Sequence, residues 1–150
     1  MSGFVHFHVA GIPVPQGSKR AFRNPHTGRI AQVESSKRLP TWRSDVRDAA
    51  AAAMSGQRLM PGPVELKVHF DFPRPKAHLR TNGELKPSAP RLLGGGPDLD
   101  KLIRGIADAL TSVVWFDDRQ IVRIEASKGY IEPEWEAPGC DVYVTEDPDE

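Results

Sequence analysis

Apolar residues recur at Leu99, Leu102, Ile103, Ile106, Ala107 and Leu110, a spacing that lays one stripe along a helix and decides which side of it is buried. The pattern breaks over Thr111 to Val114, passes Trp115 and Phe116, and resumes as a strand at Ile121, Val122, Ile124 and Ala126. Charge sits at both ends of that helix. Asp98 and Asp100 stand at its start, Lys101 and Arg104 on its first turns, and Asp117 and Asp118 between the helix and the strand.

Asp98 has a structural use, because an aspartate at a helix start accepts from the free amides of the first turn and suits the positive end of the dipole. Residues two apart on an ideal helix point about 200° apart, so Asp98 and Asp100 converge only if Asp98 lies outside the helix. Gly94, Gly95, Gly96 and Pro97 allow that backbone path. Arg104, four residues after Asp100, shares its face. The returning strand is expected to bring Asp118 back beside Asp100. Three oxygen-bearing acids at one point favour a hard divalent ion, Mg²⁺ or Mn²⁺, which activates water and stabilises charge on a phosphate.

These residues resemble the RusA-type Holliday-junction resolvases, small endonucleases common in bacterial phages and prophages. That family's pattern is Asp-x-Asp-Asn-Leu with a lysine further along the helix, an Asp-Ala-Leu, and an Asp-Asp before a valine-rich strand. Here it reads Asp98-Leu99-Asp100-Lys101-Leu102, then Asp108-Ala109-Leu110, then Asp117-Asp118-Arg119-Gln120-Ile121-Val122. A weaker match, Gly11 to Arg20, is similar to the family's proline-containing turn followed by basic residues. The resemblance implies that Asp98, Asp100 and Asp118 are metal-binding and catalytic, with Asp117 an accessory neighbour. It implies a homodimer as well, consistent with the approximate two-fold symmetry of a four-way DNA junction. The family's helix lysine falls at Arg104, a permanently charged fork that keeps phosphate contact and loses proton donation. Its asparagine falls at Lys101. Lys128 matches a basic position and implies a phosphate contact.

A chain of 150 residues, 39% hydrophobic and 27% charged, suits one α+β domain: a mixed sheet with two main helices, RusA-like under the resemblance. Strands are expected at Phe4 to Ala10, about Arg29 to Val33, Val64 to Phe70 and Asp141 to Val144, and a first helix from Pro40 to Met54 with Trp42, Val46 and Ala50 in its stripe. Residues 73 to 97 read as a long proline-rich loop, expected to be mobile without DNA and to close over a strand of the junction. Trp115 reads as core. His6 and His8 share a strand face, but with no cysteine or third histidine nearby they read as ordinary histidines rather than zinc ligands.

The single cysteine, Cys140, excludes an internal disulfide and reads as a half-buried strand residue in a reducing compartment. The chain lacks both an apolar run of about 20 residues and a signal peptide, so a cytoplasmic protein, phage or prophage encoded under the resemblance, is expected, with no membrane partner. Net charge is zero, yet cations crowd the first two thirds, Lys19 and Arg20 among them, while Glu132, Glu134, Glu136, Asp141, Glu146, Asp147, Asp149 and Glu150 read as an acidic edge and tail facing away from DNA. Lys19, Arg20, Lys101, Arg104 and Lys128 are the expected DNA contacts. Two rivals remain. A sugar-nucleotide transferase also uses Asp-x-Asp, though a chain of this length leaves little room for its fold; a non-catalytic branched-DNA-binding protein on the same scaffold is the better one.

Overall fold

Val5, Phe7 and Val9 point inward and His6 and His8 outward along β1 (Phe4–Ala10), because successive side chains of an extended chain face opposite sides. The computed structural model describes residues 3–17, 19–23, 26–27, 30–34, 37–131 and 137–149, with backbone alone at 19–23 and 30–34. β2 (Lys19–Arg23) and β3 (Ile30–Glu34) pair antiparallel as a ribbon of their own, where the sequence pattern alone predicts a basic turn before a lone strand. Then come α1 (Leu39–Met54), β4 (Val64–Phe72), α2 (Leu99–Leu110), β5 (Ile121–Tyr130) and β6 (Gly139–Glu146).

The main sheet has the order β1-β6-β4-β5, with β4 and β5 parallel and the other neighbours antiparallel. A parallel pair needs a crossover, and α2 supplies it. This is the expected α+β domain: a four-stranded mixed sheet with two helices against one face. Trp42, Val46, Ala50 and Met54 of α1 meet Leu102, Ile106 and Leu110 of α2 and the inward residues of β4 and β6 in one core. Cys140 is fully buried in β6 rather than half-buried.

Among the described residues no helix covers the other sheet face. There His6 stacks on Tyr143 at 4.1 Å, and His8 Nδ1 lies 3.1 Å from Asp141. The acidic end is less solvated than its composition suggests. Glu146 is buried, accepting from the amides of Gly3 at 3.1 Å and Gly62 at 2.7 Å, and Asp149 pairs with Arg123 at 3.1 Å. Glu132, Glu134, Glu136 and Glu150 lie outside the described residues.

Residues 73–97 carry short elements of their own, a 3₁₀ turn at Lys76–His78 and a bridge between Leu79 and Leu85. Arg74 anchors the segment, its guanidinium 4.3 Å from the Tyr130 ring centroid and donating to the Pro90 carbonyl at 2.6 Å. Among the described residues no helix is long and apolar enough to cross a membrane.

Candidate active site

Asp98 is the N-cap residue of α2 in extended conformation, outside the helix as convergence with Asp100 requires. Its carboxylate caps no amide and instead faces Lys101 Nζ at 3.5 Å. Asp100 and Arg104 are exposed one turn apart. Lys128 Nζ, reaching over from β5, donates to the carbonyls of Gly95 at 2.8 Å and Pro97 at 2.9 Å. That ammonium fixes the backbone immediately before Asp98, a positioning contact that composition does not reveal.

The N-terminal turn lies across the same helix. Gln16 N donates to the Lys101 carbonyl at 3.0 Å, and its side-chain amide donates to Asp108. The turn packs over Gly105, with Gln16 Cβ and the Val14 carbonyl each 3.6 Å from where a Cβ would stand, an ordinary contact distance. Gly17 follows at φ +94°, with Arg104 Nη1 only 2.7 Å from a hypothetical Cβ. A side chain there would push the guanidinium aside. Lys19 and Arg20 begin β2, and their side chains lie outside the described residues.

Asp118 is held at the opposite end of α2. It accepts from the hydroxyl of Thr111, the C-cap residue, and Trp115 Nε1 lies 3.3 Å from the same carboxylate oxygen. Trp115 is fully buried, so the core itself braces this acid. Asp117 serves its own turn. Its carboxylate accepts from Arg119 N at 2.9 Å, and that amide is the chief reason its pKa lies below the ordinary 3.8.

Gln120 completes the turn. Its Oε1 accepts from Phe116 N at 2.8 Å and Asp117 N at 2.9 Å, while Nε2 donates to the carbonyls of Met60 at 2.7 Å and Gly62 at 2.9 Å. Asp117 and Gln120 form a capping box, whose signal, an acid or hydroxyl followed by Gln or Glu three residues on, is visible in the sequence. Gln120 is marked in the sequence by that spacing alone, and Thr111, an uncharged residue at a helix end, by nothing in its neighbourhood.

The returning strand does not bring Asp118 to Asp100 within one chain. Helical rise separates Asp100 from Thr111 by about 16 Å along the axis, and side-chain reach recovers only a few ångströms of that. Among the described residues, no three His, Cys, Asp or Glu side chains gather closely enough to hold a metal ion. A single copy therefore does not fit the divalent ion that the acids suggest.

The family model of endodeoxyribonuclease RusA matches residues 11–143, a span that runs from the turn across α2 through both acidic ends to β6. A Bacillus subtilis (strain 168) protein carrying the name Uncharacterized protein YqaN is 29% identical over 133 residues, covering 85% of this chain and 89% of that one. The matched span takes in the turn docked on α2, the acids at both ends of that helix and the turn that braces the second: the chain belongs to the RusA endodeoxyribonuclease family.

Proposed function

We propose that the chain is a structure-selective endodeoxyribonuclease that resolves four-way DNA junctions by paired, metal-dependent hydrolysis of phosphodiester bonds. The observation that carries this reading is the separation of Asp98 and Asp100 from Asp118 by the length of α2, in a chain of this family. Ligand oxygens must lie within about 2.0–2.6 Å of a Mg²⁺ or Ca²⁺ ion, so a gap on the order of 15 Å cannot be closed by side-chain rotation. A second copy closes it. With two α2 helices side by side and antiparallel about a two-fold axis, Asp98 and Asp100 of one chain meet Asp118 of the other, at both ends.

The homodimer and the carboxylate set then become one requirement, and its two sites share the approximate two-fold symmetry of the junction. Mg²⁺, with Mn²⁺ as substitute, is the ion for such an oxygen-only set; bound there it would lower the pKa of a water and offset charge on the phosphate. Arg104 offers a planar fork to the phosphate oxygens from the face it shares with Asp100. Lys101 lies beside Asp98, and Lys19, Arg20 and Lys128 are further proposed DNA contacts. Asp117 supports the turn that holds Asp118. The setting proposed is the cytoplasm of a bacterial host, in a chain of phage or prophage origin.

The test uses an end-labelled synthetic junction and matching linear duplex, with Mg²⁺, Mn²⁺ or chelator, and three preparations: wild type, Asp100→Asn and Asp118→Asn. Symmetric cuts in the junction alone, absent with chelator and in either variant, are expected. Co-expressing the two variants should restore single-strand cuts, because random pairing leaves about a quarter of the sites intact, one in each mixed dimer, when each site draws on both chains. Without restoration the shared site fails. Tight junction binding with no cutting under either metal leaves the non-catalytic DNA-binding reading.

A further inference from the structure

β5 is the last strand of the main sheet, paired on one side with β4. Among the described residues nothing pairs with its outer edge along its 10 residues. Sheet proteins blunt such edges or use them, because a row of free amides and carbonyls flanked by apolar side chains recruits another strand. Length, proline and glycine do not blunt this edge before Gly129, a register shift opposite Val64 and Glu65 interrupts only its first residues, and it leaves Val122 61% and Ile124 47% exposed.

The two ends of β5 are tied to the two ends of α2. Near one, Lys128 holds the carbonyls just before Asp98; near the other, Asp118 lies three residues before Ile121 and accepts from Thr111. Ile121 to Lys128 covers about 23 Å of strand, and Asp98 to Thr111 about 20 Å of helix. Strand and helix are thus near-equal spans running in opposite senses.

We propose that β5 pairs antiparallel with β5 of a second copy of this chain, about a two-fold axis at Ile124. The proposal rests on the dimeric reading under Proposed function and specifies the surface that makes the dimer. Pairing in this register sets the Lys128 end of one strand against the Gln120 end of the other, which carries Asp98 and Asp100 of each chain toward the partner's Asp118. It also matches the side chains. Ile124 lies in register with core residue Leu66, so it would cover its own copy beside the helix layer. Arg123, which pairs with Glu65 and Asp149 in its own chain, falls opposite Glu125 of the second chain, whose own-chain partner is the exposed Lys67, so the two-fold axis adds two cross-strand contacts of opposite charge. Centring the axis one residue later would oppose Glu125 to Glu125, a like-charge pair that disfavours that register. The free edge of β1 offers no such match, because no carboxylate of the divided set lies beside it.

The experiment joins cross-linking to mass measurement on the full chain. Ile124→Cys is expected to form an intersubunit disulfide under mild oxidation, since opposed residues of an antiparallel pair bring their Cβ atoms within about 5 Å. Lys67→Cys, exposed on the neighbouring strand β4, is expected to form none, and Cys140 is buried. Glu125→Arg should raise the dimer dissociation constant roughly tenfold, as two symmetric pairs turn repulsive, with the thermal melt of the isolated chain little changed. A dimer by light scattering that fails to cross-link through Ile124→Cys, or that cross-links equally through Lys67→Cys, overturns this interface and leaves the dimeric reading intact. A chain that stays monomeric while cutting junctions overturns both.

Discussion

Gln120→Ala removes a side chain that bridges two segments of backbone, and the structure sets the size of the loss. Four hydrogen bonds of 2.7–2.9 Å disappear: two that it accepts from Phe116 and Asp117, and two that it donates to Met60 and Gly62. A net value near 1 kcal/mol each, reduced where water replaces the partner at the exposed Phe116 amide, gives about 2–4 kcal/mol. Against a total stability of about 5–15 kcal/mol that is a large fraction. Urea denaturation should show the midpoint falling by about 1–2 M with the slope unchanged. Gln120→Glu discriminates between mechanisms. It keeps the shape and the acceptors but replaces the donors with a carboxylate facing two carbonyls, so it should be at least as damaging as alanine. If glutamate folded with wild-type stability, or alanine cost less than about 0.5 kcal/mol, the donor half of this bridge would not be what holds the turn. Either variant should also impair junction cutting, because the same turn carries Asp118.

Lys128→Met frees the Gly95 and Pro97 carbonyls; hydrogen exchange around residues 94–98 should quicken markedly while the melting temperature moves by only a few degrees, about 1 kcal/mol. Gly17→Ala forces a side chain into positive φ and against Arg104 Nη1, so it should cost about 1 kcal/mol or more in denaturation and weaken junction binding, and an unaffected affinity would separate Gly17 from Arg104. Asp117, whose pKa lies below 3.8 chiefly through the Arg119 amide, favours the fold in its ionised form. Its contribution is therefore whole above 3.8 and lost as pH falls through the lower folded value, so the stability gap between wild type and Asp117→Asn should narrow as acid is added. Burial pushes the Cys140 thiol well above its ordinary value, with Asp141 and Asp71 adding to the shift; at mildly alkaline pH a thiol reagent should label it only as fast as the chain unfolds, and rapid labelling of the native state would contradict the burial.

Elements with a strong local period were legible from the chain alone. The stripe from Leu99 to Leu110 became α2, the alternation from Val64 to Phe70 became β4, and Phe4 to Ala10 is β1 with the same bounds. β2 was not, because Lys19 to Arg23 alternates too weakly to separate a short ribbon from a turn. The local apolar pattern ends β5 at Ala126, yet the strand continues to Tyr130, since its last residues pair with Phe70 and Phe72 of β4 and only the partner strand could extend it. Glu146 read as part of a solvated tail because an acid in an acidic run carries no sign of the two amides, from Gly3 and Gly62, that fold against it.

By itself the sequence determined which residues are acids, which helix they flank and which family the pattern resembles, because residue type, period and spacing are local quantities. Distance between acids is not local. Only the tertiary structure decided that Thr111 and buried Trp115 hold Asp118 at the far end of α2 from Asp98 and Asp100, and that no strand among the described residues pairs with the outer edge of β5. The reason is the rigidity of the helix: at about 1.5 Å per residue, α2 keeps apart in one chain the carboxylates that its sequence sets so close together.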